Sequence, residues 1–278
     1  MTPAPPPATA IPFVRRDARR GMFWLRRAYA MFRAAPLPWL LLLLIYYALV
    51  ALAELGPWPS IGKLAASVLK PVFAVGFLAA AWSQERGGRP ALRDLFRGFR
   101  SNLKALLPLG VVFFAGMTLA VGATALIDGG ALIAWISGGE EPSEALLRSG
   151  RLQLAMLFGI ACALPTLLAL WFAPALVVFH DSGAISALAT SLRASVANWR
   201  PVSVFGLAVL FYGGVLPALG GTLARALGET GGTIVALGLL FPYMLVFLAT
   251  FHIADYVAYR DVFHPDEPVP PRSPEAAP

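Results

Sequence analysis

The sequence predicts an all-α polytopic membrane protein: a bundle of six transmembrane helices with three interfacial amphipathic helices. Of its 278 residues, 58% are apolar and only 13% are charged. A soluble domain has about 25% charged residues, so a chain this poor in charge has too little polar surface to cover a globule. The single cysteine, Cys162, also excludes a disulfide scaffold. Together these observations favour an integral membrane protein.

Six segments are long and apolar enough to cross a bilayer, since a helix needs about 20 apolar residues to span about 30 Å of hydrocarbon. They lie at residues 38–55, 64–82, 105–127, 152–179, 202–223 and 233–254. The second has an alternative interpretation as a re-entrant piece, because Lys70 and Pro71 lie inside it. The fourth is predicted to bend at Pro165 or Pro174, since proline removes a helix hydrogen bond.

The distribution of basic residues favours six spans over five. With six spans, 17 basic residues fall on one side and 5 on the other, and the positive-inside rule places the richer side and both termini in the cytoplasm. If the second segment did not cross, the two most basic stretches would lie on opposite sides. The apolar run 37–50, followed by the small residues of Ala51-Leu52-Ala53, resembles the core and cleavage site of a signal peptide. More than 30 residues precede it, which favours a membrane anchor that is retained.

One membrane domain, residues 13–262, is predicted between two tails. Residues 1–12 and 263–278 are rich in proline and poor in large apolar side chains. Such segments cannot bury enough apolar surface to fold, so both tails are predicted to be disordered.

Three segments on the predicted cytoplasmic side have the pattern of amphipathic helices. On a helical wheel, the arginines from Arg15 to Arg33 fall within an arc of about 140°, opposite apolar and aromatic side chains. Residues 92–103 repeat this pattern, and residues 185–199 do so more mildly. Each segment precedes a pair of spans, which indicates three repeating units. The units begin near Met22, Ala91 and Ala184.

The basic faces of these helices are candidates for contact with anionic lipid headgroups. Each arginine near an anionic leaflet adds about 1 kcal/mol of attraction, while aromatic side chains enter the headgroup boundary. The candidate lipid-binding residues are Arg15, Arg16, Arg19, Arg20, Arg26, Arg27, Arg93, Arg97 and Arg100. The alternative is that the helices only fix topology and pack under the bundle. Membrane lipids, and secondarily other membrane proteins, are therefore the expected partners, and nucleic acid is not.

Glycines recur along two of the spans. Such small residues let helix backbones approach closely in a bilayer. They form a predicted helix contact, either within the chain or between two copies. The glycines are Gly110, Gly116 and Gly122 in the third span and Gly206, Gly213 and Gly220 in the fifth.

Ionisable residues inside spans are the default candidates for transport or metal binding, because their burial is costly. His180 with Asp181 and His252 with Asp255 lie at the predicted inner ends of two spans, at similar depth. They are candidates for a metal site, although histidines satisfied by water are favoured over it. A transporter or channel would need polar side chains lining one cavity. Its candidates are Lys70, Asp128, Ser67, Thr118 and Thr166.

Catalytic and nucleotide-binding motifs are absent from the sequence. It contains no HExxH, no GxSxG, no GxxxxGK[ST] and no paired cysteines. We therefore predict neither an enzyme nor a cofactor. A non-enzymatic membrane component is the favoured function, and a small-molecule transporter or channel is the alternative.

Four stretches of the sequence carry a family resemblance. They are Gly21-x-x-Trp24-Leu25 followed by Phe32 and Pro36, then Ala125-Leu-Ile-Asp128-Gly129-Gly130, then Trp171-Phe-Ala-Pro174-Ala-Leu-Val177 with Asp181, Ala187-Leu188 and Ser191, and finally Tyr259-Arg260-Asp261-Val-Phe263. Together they resemble a family of uncharacterised proteobacterial six-span inner-membrane proteins over roughly residues 21–263. The resemblance implies a bacterial inner-membrane location and no particular activity. A fainter similarity extends to the YciC-like membrane proteins, which share the alternation of cytoplasmic helices and span pairs.

Overall fold

The computed structural model describes residues 11–139 and 142–265, which form helices and no strand. The helices outside the spans are α1 (Arg19–Ala34), α4 (Leu92–Leu95), α6 (Ala131–Ile136), α7 (Glu144–Arg148) and α10 (Ala184–Ala197). The spans are built from α2 (Pro36–Leu55), α3 (Pro59–Glu85), α5 (Leu103–Asp128), α8 (Arg151–Trp171) with α9 (Ala173–His180), α11 (Trp199–Leu210) with α12 (Leu216–Ala226), and α13 (Gly228–Val235) with α14 (Phe241–Phe263).

The predicted all-α bundle of six spans is confirmed. In the part of the chain that the structure describes, six helical segments are long and apolar enough to cross a membrane. The second span is one continuous helix with Pro71 inside it, so it is not a re-entrant piece. The sixth runs on to Phe263 instead of ending at residue 254, because the last turns of α14 are buried against α1.

The fourth span bends at Phe172, beside Pro174, whereas Pro165 lies within the continuous helix α8. In an unbroken helix the Phe172 N–H would donate to the Leu168 carbonyl. Here the Ser191 hydroxyl of α10 lies between them, accepting from the Phe172 N–H at 3.0 Å and donating to the Leu168 carbonyl at 2.9 Å. The bend therefore leaves both backbone groups satisfied, which is what a low-dielectric interior requires.

Two π-helical turns, Phe211–Val215 and Ala236–Leu240, interrupt the fifth and sixth spans. A π-helical turn shifts the hydrogen-bond ladder by one residue and so changes which carbonyls are paired. The Tyr243 hydroxyl donates to the Tyr212 carbonyl at 2.5 Å. This bond ties the sixth span to the π-helical turn of the fifth.

The buried core is concentrated at one end of the bundle. There α1 packs across α11 and α14, α4 lies against α3, and α10 lies against α8 and α9. We call this end, which also carries residues 86–104, the basic end. Its largest fully buried side chains are Trp24, Trp39, Phe172, Tyr256 and Tyr259. Towards the opposite end, large apolar side chains such as Leu126 and Ile234 are exposed, as expected of helices that lipid covers.

The glycine pattern marks contacts within the chain. A Cβ on Gly110 would lie 1.9 Å from the Val68 carbonyl oxygen of α3, and one on Gly116 would lie 2.3 Å from the Thr166 hydroxyl of α8. Both glycines therefore allow a close approach to a neighbouring span. Of the six predicted glycines, the four whose Cβ would meet another span are Gly110, Gly116, Gly213 and Gly220. Open space surrounds Gly122 and Gly206.

The predicted tail boundaries fall inside the folded domain. Phe263, predicted to begin the C-terminal tail, is the last residue of α14 and is buried, so that boundary is wrong. Ile11, predicted to lie in the N-terminal tail, packs against the core. The rest of both tails, residues 1–10 and 266–278, lies outside the described residues.

Candidate functional site

The apolar face of α1 is buried in the protein. Trp24 has no exposed surface, and its ring lies 5.8 Å from the Trp171 ring and 6.0 Å from the Phe205 ring. Gly21 allows the close approach, because a Cβ there would lie 2.3 Å from the Pro201 carbonyl oxygen. The helix therefore turns its arginine face outward, and its apolar face is not available to sink into lipid.

Two of the nine candidate arginines are engaged by one buried carboxylate, that of Asp261 on α14. Arg20 forms a bidentate contact with it, and Arg16 pairs with it at 3.2 Å. The Trp24 indole N–H donates to the same carboxylate at 2.8 Å. Arg16 and Arg20 thus hold α1 onto the bundle, and the one carboxylate offsets one of their two positive charges.

Asn198 fixes the segment that leads into α1. Its side-chain oxygen accepts from the Arg16 backbone N–H at 2.7 Å, and its amide nitrogen donates to the Val14 carbonyl at 3.0 Å. The side chain is almost fully buried. Since its partners lie over 180 residues away in sequence, no local pattern could have indicated this role.

The prediction that residues 92–103 form one continuous amphipathic helix is wrong. The chain forms α4 and a 3₁₀ turn, Arg97–Arg100, before α5 begins. Asp94 is buried; its carboxylate accepts from the Ala91 N–H at 2.9 Å and pairs with Arg97 at 3.4 Å. A Cβ on Gly98 would lie 1.9 Å from the Val72 carbonyl oxygen of α3. Close packing on α3 at these points favours two short turns over one helix.

The third amphipathic helix, α10, has the opposite orientation to α1. Its small and polar side chains face the bundle, since Ala187, Ser191 and Ala194 have no exposed surface. Large apolar side chains of α10 point outward, with Ile185 84% and Val196 56% exposed. The predicted apolar face therefore exists, and protein does not cover it.

The remaining candidate arginines are exposed at the basic end. Within residues 11–139 and 142–265, no carboxylate pairs with any of them. They are Arg15, Arg19, Arg26, Arg27, Arg93 and Arg100. The structure thus divides the nine predicted residues into six that face solvent or lipid and three, Arg16, Arg20 and Arg97, that hold the fold together.

Glu85 organises a second polar contact at the basic end. Its carboxylate accepts from the Tyr256 hydroxyl at 2.6 Å and pairs with Arg260 at 2.8 Å. Nearby, His264 contacts the Tyr259 hydroxyl at 3.0 Å. Burial, and then the positive charge of Arg260, lowers the pKa of His264. Glu85 joins α3 to α14 as Asp261 joins α1 to α14.

The two histidines considered for a metal site lie apart. His180 stacks on His264, with ring centroids 5.3 Å apart, whereas His252 stacks on Phe77 at 4.2 Å. His180 also contacts the Tyr259 ring. Tyr259 lies seven residues after His252 on α14, so His180 lies level with a point about 10 Å further along that helix than His252. The prediction of similar depth is therefore wrong, because the sixth span extends further than expected.

Neither acidic residue of that candidate site joins the two histidines. Asp255 accepts from the Trp171 indole N–H at 3.0 Å, and Asp181 is exposed just beyond the end of α9. Among the described residues, no group of three or more His, Cys, Asp or Glu side chains is arranged to hold a metal ion.

The side chains considered for a transport path do not converge. The Lys70 ammonium lies 4.3 Å from the centre of the Phe113 ring. Asp128 lies 15 residues after Phe113 on α5, about 22 Å along the helix. Its carboxylate accepts from the Gly130 and Leu132 N–H groups at 2.9 and 2.8 Å. Asp128 therefore caps α6. Thr118 is exposed, and Thr166 packs at Gly116.

Comparison with known proteins gives one informative match. A protein of Burkholderia thailandensis named as a probable inner membrane protein is 30% identical over 267 residues, which is 94% of this chain and 97% of that relative. No family model and no solved structure matches the sequence. With the six spans, this similarity identifies a multi-pass inner-membrane protein.

Proposed function

Because the chain belongs to the same family as that probable inner membrane protein, we propose that it is a non-enzymatic component of the inner membrane that contacts anionic lipids. The contact is made by the exposed arginines of the basic end. The observation that carries the proposal is the set of six arginines without a carboxylate partner among the described residues. Such charges attract an anionic leaflet, each by about 1 kcal/mol.

The proposal places the basic end and both termini in the cytoplasm. Its support is the excess of basic residues on that side, 17 against 5, as the positive-inside rule requires. A cysteine introduced at the exposed Ala30 should react with a membrane-impermeant maleimide in inverted vesicles and not in spheroplasts. The reverse result would contradict the orientation. The fainter similarity to YciC-like membrane proteins stays a prediction.

Replacing three exposed arginines of the basic end should remove part of the lipid preference. The full chain is placed in vesicles of equal phosphatidylglycerol and phosphatidylcholine, extracted in polymer-bounded discs, and its retained lipid is measured by mass spectrometry. We expect phosphatidylglycerol to be enriched, roughly twofold, and less so in the triple variant Arg19→Gln, Arg26→Gln, Arg93→Gln. Added salt should weaken the enrichment.

The matched control removes three exposed basic side chains from the opposite end. This triple variant carries Lys63→Gln, Arg151→Gln and Arg225→Gln. The control variant loses the same number of positive charges as the first. Because these charges lie away from the basic end, the proposal expects the control to keep the wild-type enrichment of phosphatidylglycerol. Equal losses in both triple variants, or no enrichment in the wild type, would overturn the proposal.

Transport is the second candidate function, and one observation favours it. Lys70 and Phe77 lie seven residues apart on one face of α3, and Phe77 stacks on His252 of α14, one helical turn from Asp255. Ionisable side chains in that position commonly mark ion or proton paths. A proton flux through reconstituted protein that Lys70→Met abolishes would favour transport over the lipid proposal.

A further inference from the structure

A cavity of about 580 Å³ opens at the basic end between α1 and the turn after α3. Its walls are the C-terminal half of α1, the elbow 35–38 that leads into α2, and residues 84–89. This volume is within the range of small-molecule sites, about 300–1,000 Å³. The cavity is therefore large enough for a phosphate group with its glycerol substituents.

The charge of this cavity is positive. Arg27 and Arg89 line it from opposite walls and are exposed, and no described carboxylate pairs with either. Glu85 also lines it, but its two oxygens are already engaged by Tyr256 and Arg260. The two arginines are thus available to an anion.

The position of the cavity relative to the spans selects the kind of anion. It lies where α2 begins and α3 ends, which is the level at which the hydrocarbon core starts. At its rim Leu37 is 77% exposed, and Leu41, one turn further along α2, is 52% exposed. A ligand with an anionic head and an apolar tail would contact both the arginines and this leucine surface, whereas free phosphate would use only the arginines.

We propose that this cavity binds the phosphate headgroup of an anionic phospholipid from the surrounding leaflet. Arg27 and Arg89 contact the phosphate through charge-assisted hydrogen bonds, and Leu37 lies beside the first acyl carbons. The inference rests on the proposed function and adds to it one discrete site among the exposed arginines.

The site is tested by titrating the purified full chain with phosphatidylglycerol and counting bound lipids by native mass spectrometry. The double variant Arg27→Gln, Arg89→Gln should raise the dissociation constant of the tightest bound phosphatidylglycerol about tenfold. The matched control is Arg193→Gln, Arg200→Gln, which removes two exposed arginines that lie outside both the cavity and the six arginines of the lipid proposal. It should leave the tightest binding unchanged.

Two further probes separate a lipid from a soluble phosphate. Leu37→Ser should weaken phosphatidylglycerol binding while leaving any binding of glycerophosphoglycerol, the headgroup without acyl chains, unaffected. Competition by inorganic phosphate at equal affinity would overturn the lipid assignment. Because the variants replace exposed side chains, wild-type unfolding midpoints are expected, and the Leu37→Ser comparison tests the site even if the arginine pair perturbs the fold.

The outcomes distinguish this inference from the broader proposal. Equal weakening in the Arg27/Arg89 variant and the Arg193/Arg200 control would overturn the discrete site and leave the surface-wide attraction standing. A wild type that binds phosphatidylglycerol no better than phosphatidylcholine would overturn both.

Discussion

Asp261→Ala should lower the midpoint of thermal unfolding by roughly 6–12 °C, from a loss of about 3 kcal/mol. The carboxylate is buried and holds Arg16, Arg20 and the Trp24 indole. Its removal leaves Arg20 and the Trp24 indole without this partner and weakens the hold of α14 on α1, although the Arg16 Nε–H still donates to the Asp261 carbonyl. We place the cost at the lower end of the range for a broken buried pair because both arginines retain contact with water.

The measurement is thermal unfolding of the full chain in one detergent, followed by intrinsic tryptophan fluorescence. Glu144→Ala is the control, because it breaks a carboxylate–arginine pair that is fully surface-exposed. Surface substitutions of this kind change stability by about 0.5 kcal/mol or less. An Asp261→Ala midpoint within error of the Glu144→Ala midpoint would show that α1 is held by apolar packing alone.

Gly110→Ala and Gly122→Ala should change stability in opposite directions, although both lie on α5. A Cβ at Gly110 would be 1.9 Å from the Val68 carbonyl oxygen and 2.7 Å from its Cα. Because these are backbone atoms, α3 and α5 must move apart, at a cost of about 1–3 kcal/mol. A Cβ at Gly122 meets nothing within 4 Å, so alanine there should be neutral or stabilise by up to about 1 kcal/mol through helix propensity.

This pair is best measured by denaturation in mixed micelles with the same detergent ratio for both variants. Each variant adds one methyl group to the same helix, so differences in lipid or detergent affinity largely cancel. Loss of stability at Gly122 as large as at Gly110 would contradict the structural assignment of the contact between α3 and α5.

The residues that carried the family resemblance turn out to organise the basic end. Trp24 and Asp261 meet at α1 and α14, and Ser191 bridges the bend beside Pro174. Their types alone did not indicate these contacts. A carboxylate near the end of the last span was the available signal for Asp261, but its partners lie 237 to 245 residues away.

The sequence by itself determined the number of spans and the class of the protein. A span must match the thickness of the hydrocarbon core, so about 20 consecutive apolar residues suffice to predict it, and every one of the six was found. The charge distribution similarly favoured six spans over five. These properties depend only on the local composition of the chain.

Only the tertiary structure decided which faces meet protein and which meet lipid. Protein interior and lipid are both apolar, so helical periodicity gives the same pattern for α1, whose apolar face is buried, and α10, whose large apolar side chains are exposed. Likewise, which arginines are free depends on carboxylates distant in sequence, and which glycines are needed depends on the backbone opposite them. Such properties arise from the approach of distant segments, which one-dimensional patterns do not encode.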